Sequence, residues 1–304
     1  MRLNGTQPNM KEVTTMQTMV PLYGFGGGSG GTGATLTVTA PAGATVTVSK
    51  DGKSKTKVAD SSGVAVFKGL SSGDWLLSIT DGTQTAQKTV TITADYTTAI
   101  TFFSATVHVT YPAGSTCTAT DGVTTLTAPD TSGTWDCVVE NAGLWTVSLD
   151  SGFAETIDVT TSGETYTIDR WYLYNQGDEH EAITGGWSTD GYTGVGKPAE
   201  KYETYIHIKY ASGEYEIGTQ NAIPFSGFSK LCVDVPEMTG LLYLAANATK
   251  VLDQYNATHR LDIKNTAGVS TMAIDNQTSS FYVELGPSKG SGCNARVSKV
   301  WLEV

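Results

Sequence analysis

Asp178-Glu-His-Glu181 sets three carboxylates and an imidazole side by side, near Trp171, Tyr172, Tyr174 and Trp187. Hard oxygen donors packed this closely can hold Ca2+, which makes Asp178, Glu179 and Glu181 the candidate metal ligands. No EF-hand loop accompanies them, and four acidic or polar residues in a row are usually a solvated turn. Ca2+ is therefore the one cofactor the chain suggests, against a plainer expectation of none. A second chemistry lies in flat aromatic rings beside amides, because a pyranose has an apolar C–H face and a polar rim. Trp187, Tyr192, Tyr202 and Tyr215, with Asn175 and Gln176 nearby, are residues of that kind. The competing reading is that some of these rings plug a core.

Glycoside cleavage needs two carboxylates on facing strands about 5–9.5 Å apart. Neighbours in sequence such as Glu179 and Glu181 do not define that geometry, and no second cluster stands out, so a non-enzyme is expected. His108, His180, His207 and His259 show no metal-ligand spacing. His207 alternates with Tyr205 and Lys209 and reads as a residue on a sheet face. Gly26-x-Gly28-x-x-Gly31 and Gly27-x-Ser29-x-Gly31 fit a dinucleotide loop and a nucleophile elbow only by chance, since the next segment is a strand and not a helix.

The elements that must position these residues announce themselves through a duplication. Ala34-Thr-Leu-Thr-Val-Thr-Ala-Pro-Ala-Gly43 recurs as Ala105-Thr-Val-His-Val-Thr-Tyr-Pro-Ala-Gly114, and Gly73-Asp-Trp-Leu-Leu-Ser-Ile79 recurs as Gly143-Leu-Trp-Thr-Val-Ser-Leu149, at offsets of 71 and 70 residues. In each copy apolar residues alternate with Thr and Ser, Asp-Gly marks a hairpin, and one Trp sits near the middle of the pattern. Each copy should be a small β-sandwich. The repeat aligns Cys117 with Val46 and Cys137 with Phe67; if those apolar partners meet, the cysteines can meet as well. A disulfide there would close a loop of about 20 residues and contribute roughly 3 kcal/mol. Two buried, reduced thiols are the alternative.

From Asp169 onward the texture changes, with strand-like runs at 205–210, 230–235, 241–245, 260–263, 281–285 and 297–303 and no helical stretch. About eight strands over this length suit a jelly roll. Residues 1 to about 20 show neither period, and the glycine-dense stretch up to Gly33 reads as a flexible joint. The expected fold is all-β: an extended N-terminal arm and linker (1–33), two tandem immunoglobulin-like β-sandwiches (34–103 and 104–168), and a C-terminal jelly-roll β-sandwich (169–304).

A formal net charge of −11 and the absence of an obvious Lys/Arg cluster count against nucleic acid as a partner. No apolar run approaches the ~18 residues of a membrane span, and the first ten residues lack the apolar segment of an export signal. Membrane insertion is not expected.

Thr37-Val-Thr-Ala-Pro-Ala-Gly-Ala-Thr-Val-Thr-Val48, then Asp60-x-x-Gly-x-x-x-Phe-x-Gly-Leu70 and Gly73-x-Trp-x-Leu-x-Ile79, resemble the immunoglobulin-like, PEGA- or carboxypeptidase-regulatory-like modules of surface and viral proteins, over roughly residues 34–165. The whole chain, including Trp171-Tyr-Leu-Tyr-Asn-Gln-Gly-Asp178 and Ile183-Thr-Gly-Gly-Trp187, is similar to prophage-encoded virion proteins of gut Firmicutes. Residues 224–235 and 296–303 look like the middle and final strands of galactose-binding-like, carbohydrate-binding sandwiches. These resemblances imply a structural phage virion protein, tail, baseplate or head fibre, assembled in the host cytoplasm and released by lysis. Its arm would bind other virion proteins, and its jelly roll would meet a host-surface glycan or protein. A homo-oligomer is expected by analogy with viral fibres. Two alternatives stay open: a capsid decoration or head-fibre protein would have the same layout but attach to capsomers, and a free carbohydrate-binding module would need an export route.

Overall fold

The computed structural model describes residues 33–190, 192, 197–210, 214–250, 257–274, 278–288 and 292–304. The N-terminal arm and the chance glycine motifs lie outside these residues. The chain divides into two compact units; the described residues of the first are 33–78 and 87–99, and the second holds 79–86 and the described part of 100–304.

The first module runs β1 (Ala34–Thr39), β2 (Thr45–Lys50), β3 (Lys53–Val58), β4 (Val64–Leu70), β5 (Gly73–Thr80), β6 (Thr85–Ile92) and β7 (Tyr96–Ala99). One sheet has the order β3-β2-β5-β6 and the other β4-β1-β7. The period of two decides which side chains go in: Leu36, Val38, Val46, Val48, Leu77 and Ile79 are fully buried between the sheets, each stabilising the fold by about 1.5–3 kcal/mol relative to exposure. Trp75 is buried with them and donates its indole N–H to the Ser71 carbonyl at 2.9 Å. At the β2–β3 hairpin, Asp51 (φ 48°) and Gly52 (φ 72°) are both left-handed, the conformation that matches the twist of the flanking strands.

The second module repeats this plan as β8 (Ala105–Thr110), β9 (Cys117–Thr120), β10 (Thr125–Thr127), β11 (Thr134–Val139), β12 (Gly143–Leu149), β13 (Ala154–Val159) and β14 (Thr165–Ile168). Its sheets, β10-β9-β12-β13 and β11-β8-β14, match those of the first strand for strand. Trp145 donates to the Asn141 carbonyl at 3.1 Å, four residues back as in the first copy. Asp121-Gly122 makes a longer turn than its counterpart, because the Asp121 carboxylate accepts the N–H groups of Val123 and Thr124 at 2.9 and 2.6 Å.

The C-terminal residues form further sheets, antiparallel except where Lys197–Pro198 runs parallel to Tyr215–Thr219, so the described chain is all-β apart from a single helical turn, Glu181–Thr184. That turn corrects the expectation of no helix. At four residues it is too short for a 3.6-residue period to register in sequence. The expected strand 297–303 is also corrected: it divides at Ser298 into Asn294–Val297 and Lys299–Glu303, which belong to different sheets. Ser298 holds the corner, its hydroxyl donating to Asp234 Oδ2 at 2.7 Å and its N–H to the Asp234 carbonyl at 2.9 Å.

Module 2 and the C-terminal sandwich share one continuous apolar cluster. The Trp171 indole N–H donates to the Thr110 carbonyl at 2.9 Å, and Phe153 packs edge-on against Trp171 and Phe228 with centroids 6.3 and 5.2 Å away. Gly227 lies so close to Pro112 that a Cβ on it would fall 2.4 Å from the proline Cβ.

Candidate functional site

A four-stranded sheet of the C-terminal sandwich pairs Glu200–Lys201, Ile206–Lys209, Asn294–Val297 and Glu237–Thr239 in that order. Ile206, Ile208, Ala295 and Val297 face inward and are fully buried, which turns the alternate residues Tyr205, His207, Lys209, Asn294 and Arg296 to the outer face. Register then lines up Glu200, His207, Arg296 and Glu237 as one row across all four strands.

Each member of this row is held. Arg296 Nη1 donates to Glu237 Oε1 at 3.0 Å, and its guanidinium lies 5.0 Å from the Tyr205 ring centroid. His207 Nδ1 faces Glu200 Oε2 at 3.1 Å, and its Nε2 faces Asn294 Oδ1 at 2.7 Å. The Lys209 ammonium donates to Glu200 Oε1, and Tyr202 Oη donates to Glu200 Oε2 at 3.1 Å. The lysine contact first, then His207, holds the Glu200 carboxyl down to about 2. Tyr202, 47% exposed, stacks on Tyr205 with centroids 4.6 Å apart and planes 18° from parallel. Beside this stack His207, Glu237, Met238, Thr239, Asn294 and Arg296 line a pocket of about 200 Å³. The face combines a flat aromatic surface, fixed charges of both signs and an amide.

Of the six residues expected to contact saccharide, the structure brings two to this face. Tyr202 is its platform, and Tyr215 lies beside it with the Lys209 ammonium 4.6 Å from its ring centroid. Trp187 is instead a core residue, 1% exposed, its indole N–H donating to the Leu173 carbonyl at 3.0 Å. Tyr192 is 8% exposed and donates to the Thr219 carbonyl at 2.6 Å. Asn175 and Gln176 form a turn whose Gly177 packs against the Glu203 backbone, next in sequence to Tyr202, and the Gln176 N–H donates to the Ser298 carbonyl at 2.8 Å.

The acidic run does not converge on a metal site. Glu179 Oε2 accepts the Trp187 N–H at 2.8 Å and its Oε1 pairs with Lys201 at 2.7 Å, while Asp178 Oδ1 accepts the His180 N–H at 2.9 Å. Glu181 is exposed in the helical turn. Among the described residues no three His, Cys, Asp or Glu side chains are grouped to hold an ion. Asp178, His180 and Glu181 line a separate pocket of about 400 Å³ with Tyr172 and Glu155 of β13. Glu155 Oε1 accepts the Tyr172 N–H at 2.6 Å, and burial pushes its carboxyl up to about 8.

Cys117 on β9 and Cys137 on β11 are free, buried thiols in this structure. Burial raises Cys117 to about 12, with Cys137 adding to the effect, and raises Cys137 to about 11. Sequence reading passed over two buried carboxylates, Glu216 and Glu284, on neighbouring strands of the largest sheet. Tyr243 Oη donates to Glu216 Oε1 at 3.1 Å. Tyr243 lies across Gly286, where a Cβ would sit 2.4 Å from the phenol oxygen. At 2% and 0% exposure neither carboxylate can reach a substrate in this conformation.

No family of known proteins matches the sequence, and no curated protein does. Solved structures give loose overlaps. The minor pilin GBS52 of Streptococcus agalactiae is 11% identical, with 44% of this chain and 93% of the pilin covered at a TM-score of 0.30. A structure of carbohydrate-binding modules from the β-sandwich superfamily is 12% identical, with coverages of 77% and 93% and a TM-score of 0.24. A DUF3823 family protein of Bacteroides ovatus is 10% identical, with coverages of 89% and 98% and a TM-score of 0.19. Likeness at this level says nothing about what this chain binds.

Proposed function

We propose that this chain is a non-catalytic attachment protein whose C-terminal sandwich binds saccharide on the Tyr202–Tyr205 face. The observation that carries this reading is the half-exposed, stacked tyrosine pair set among polar side chains that strand register already holds in place. A pyranose can lay its C–H face on Tyr202, while Asn294, His207 and Glu237 meet its hydroxyls. Side chains fixed beforehand lose little freedom on binding. The tandem modules act as spacers, and several copies on one carrier raise the effective concentration of a weak individual contact.

We further infer that the carrier is a phage particle and that the N-terminal arm binds other virion proteins. Support for this part is the sequence resemblance to prophage-encoded virion proteins. On a glycan array the full chain should bind at least one glycan class, and Tyr202→Ala should bind it more weakly; binding to none overturns the saccharide reading. Gold-labelled antibody against the C-terminal sandwich should decorate particles. Label confined to particle-free supernatant would favour a free carbohydrate-binding module.

A further inference from the structure

Residues 34–103 contain six lysines and five carboxylates, whereas residues 104–168 contain eight carboxylates and no Lys or Arg. Five of those lysines, Lys50, Lys53, Lys55, Lys57 and Lys68, lie on β2, β3 and β4 at one edge of the first module. This corrects the expectation that no cationic cluster exists. β3 ends its sheet, and all six of its residues are exposed. Register sets Lys53, Lys55 and Lys57 opposite Lys50, Val48 and Val46, so all three lie on one face of the strand, about 6.8 Å apart. The Lys55 ammonium donates to the Lys68 carbonyl at 2.6 Å, and the Lys50 ammonium to the Ser72 carbonyl. The Lys53 and Lys57 ammonium groups have no hydrogen bond or ion pair among the described residues.

We propose that this edge binds an acidic polysaccharide, a linear polymer of uronate sugars laid along β3. Ammonium groups at regular spacing suit successive carboxylates, and each is a point charge that needs no bidentate geometry. The outer edge of β3 pairs with no strand among the described residues. Its backbone groups, with the exposed Ser54 and Thr56 hydroxyls of the opposite face, can therefore meet sugar hydroxyls. A net charge of −11 repels an anionic surface broad enough to reach past the strip, such as a duplex or a bilayer, but not a thin chain confined to it. Charged edge strands also resist pairing with other sheets. That protection works with either sign of charge, whereas polymer binding needs cations. The proposal uses residues separate from the Tyr202 face, so either can fail alone.

The test is titration of the full chain with polygalacturonate over a salt series, with inorganic polyphosphate as a second probe. Three or four engaged lysines predict a slope of log K against log salt of about −2 to −3. The double variant Lys53→Glu with Lys57→Glu keeps the edge charged and should stay monodisperse in sedimentation while binding at least tenfold more weakly. Lys53→Gln with Lys57→Gln should show a smaller loss and serves as the measurement if the glutamates impair folding. Absence of polygalacturonate binding, binding unchanged in both variants, or binding of polyphosphate alone would overturn the proposal.

Discussion

Replacing Trp187 with alanine should cost about 3–5 kcal/mol of stability, the usual penalty for emptying a buried aromatic site, because its ring is enclosed and its indole N–H bonded. Chemical denaturation would read this loss. Glu155 predicts a pH dependence. Its folded carboxyl titrates near 8 because burial disfavours the charged form, while the unfolded group titrates near the ordinary ~4.3. A raised pKa gives stability that is complete below the unfolded value and is lost as pH climbs toward the folded one. The melting temperature should fall between about pH 5 and pH 8, and Glu155→Gln should flatten that fall; an equal slope in the variant would contradict it. Trp187 and Tyr202 share a reading in sequence, an aromatic in a loop-rich region. Only the fold separates them, since burial depends on which strand covers a ring and not on the ring itself.

At the scale of elements, the row Glu200, His207, Arg296, Glu237 is the product of strand register. Arg296→Ala should leave stability within about 1 kcal/mol, as for exposed ion pairs, yet weaken saccharide binding by freeing both Tyr205 and Glu237. A stability loss well beyond that would assign Arg296 a structural role instead. The alternation of Tyr205, His207 and Lys209 about Ile206 and Ile208 was legible as a sheet face, and so was the alternating pattern that the two modules share. The partners of that face were not, because Asn294 and Arg296 come from a strand some ninety residues away and no local period links them. The lysine edge stayed hidden for a related reason: spacing at every second residue reads as a strand, and only the sheet order makes β3 an edge.

For the whole molecule, the shared core of module 2 and the C-terminal sandwich carries a prediction. A fragment of residues 169–304 loses Phe153 from over Trp171 and Phe228 and loses the Thr110 carbonyl that receives the Trp171 indole. It should melt well below a fragment of residues 104–304 in calorimetry; equal melting temperatures would mean the shared core contributes little. The duplication made the two modules readable from sequence, whereas the continuity of this core rests on contacts such as Gly227 against Pro112 that no repeat signals.

Saccharide held on the Tyr202–Tyr205 face is open to calorimetric titration of the full chain with the glycan that an array selects, comparing wild type with Tyr202→Ala. Losing an aromatic contact of about 0.5–1.5 kcal/mol predicts affinity weaker by roughly twofold to thirteenfold with folding unchanged. Equal affinity in the two proteins would contradict the account.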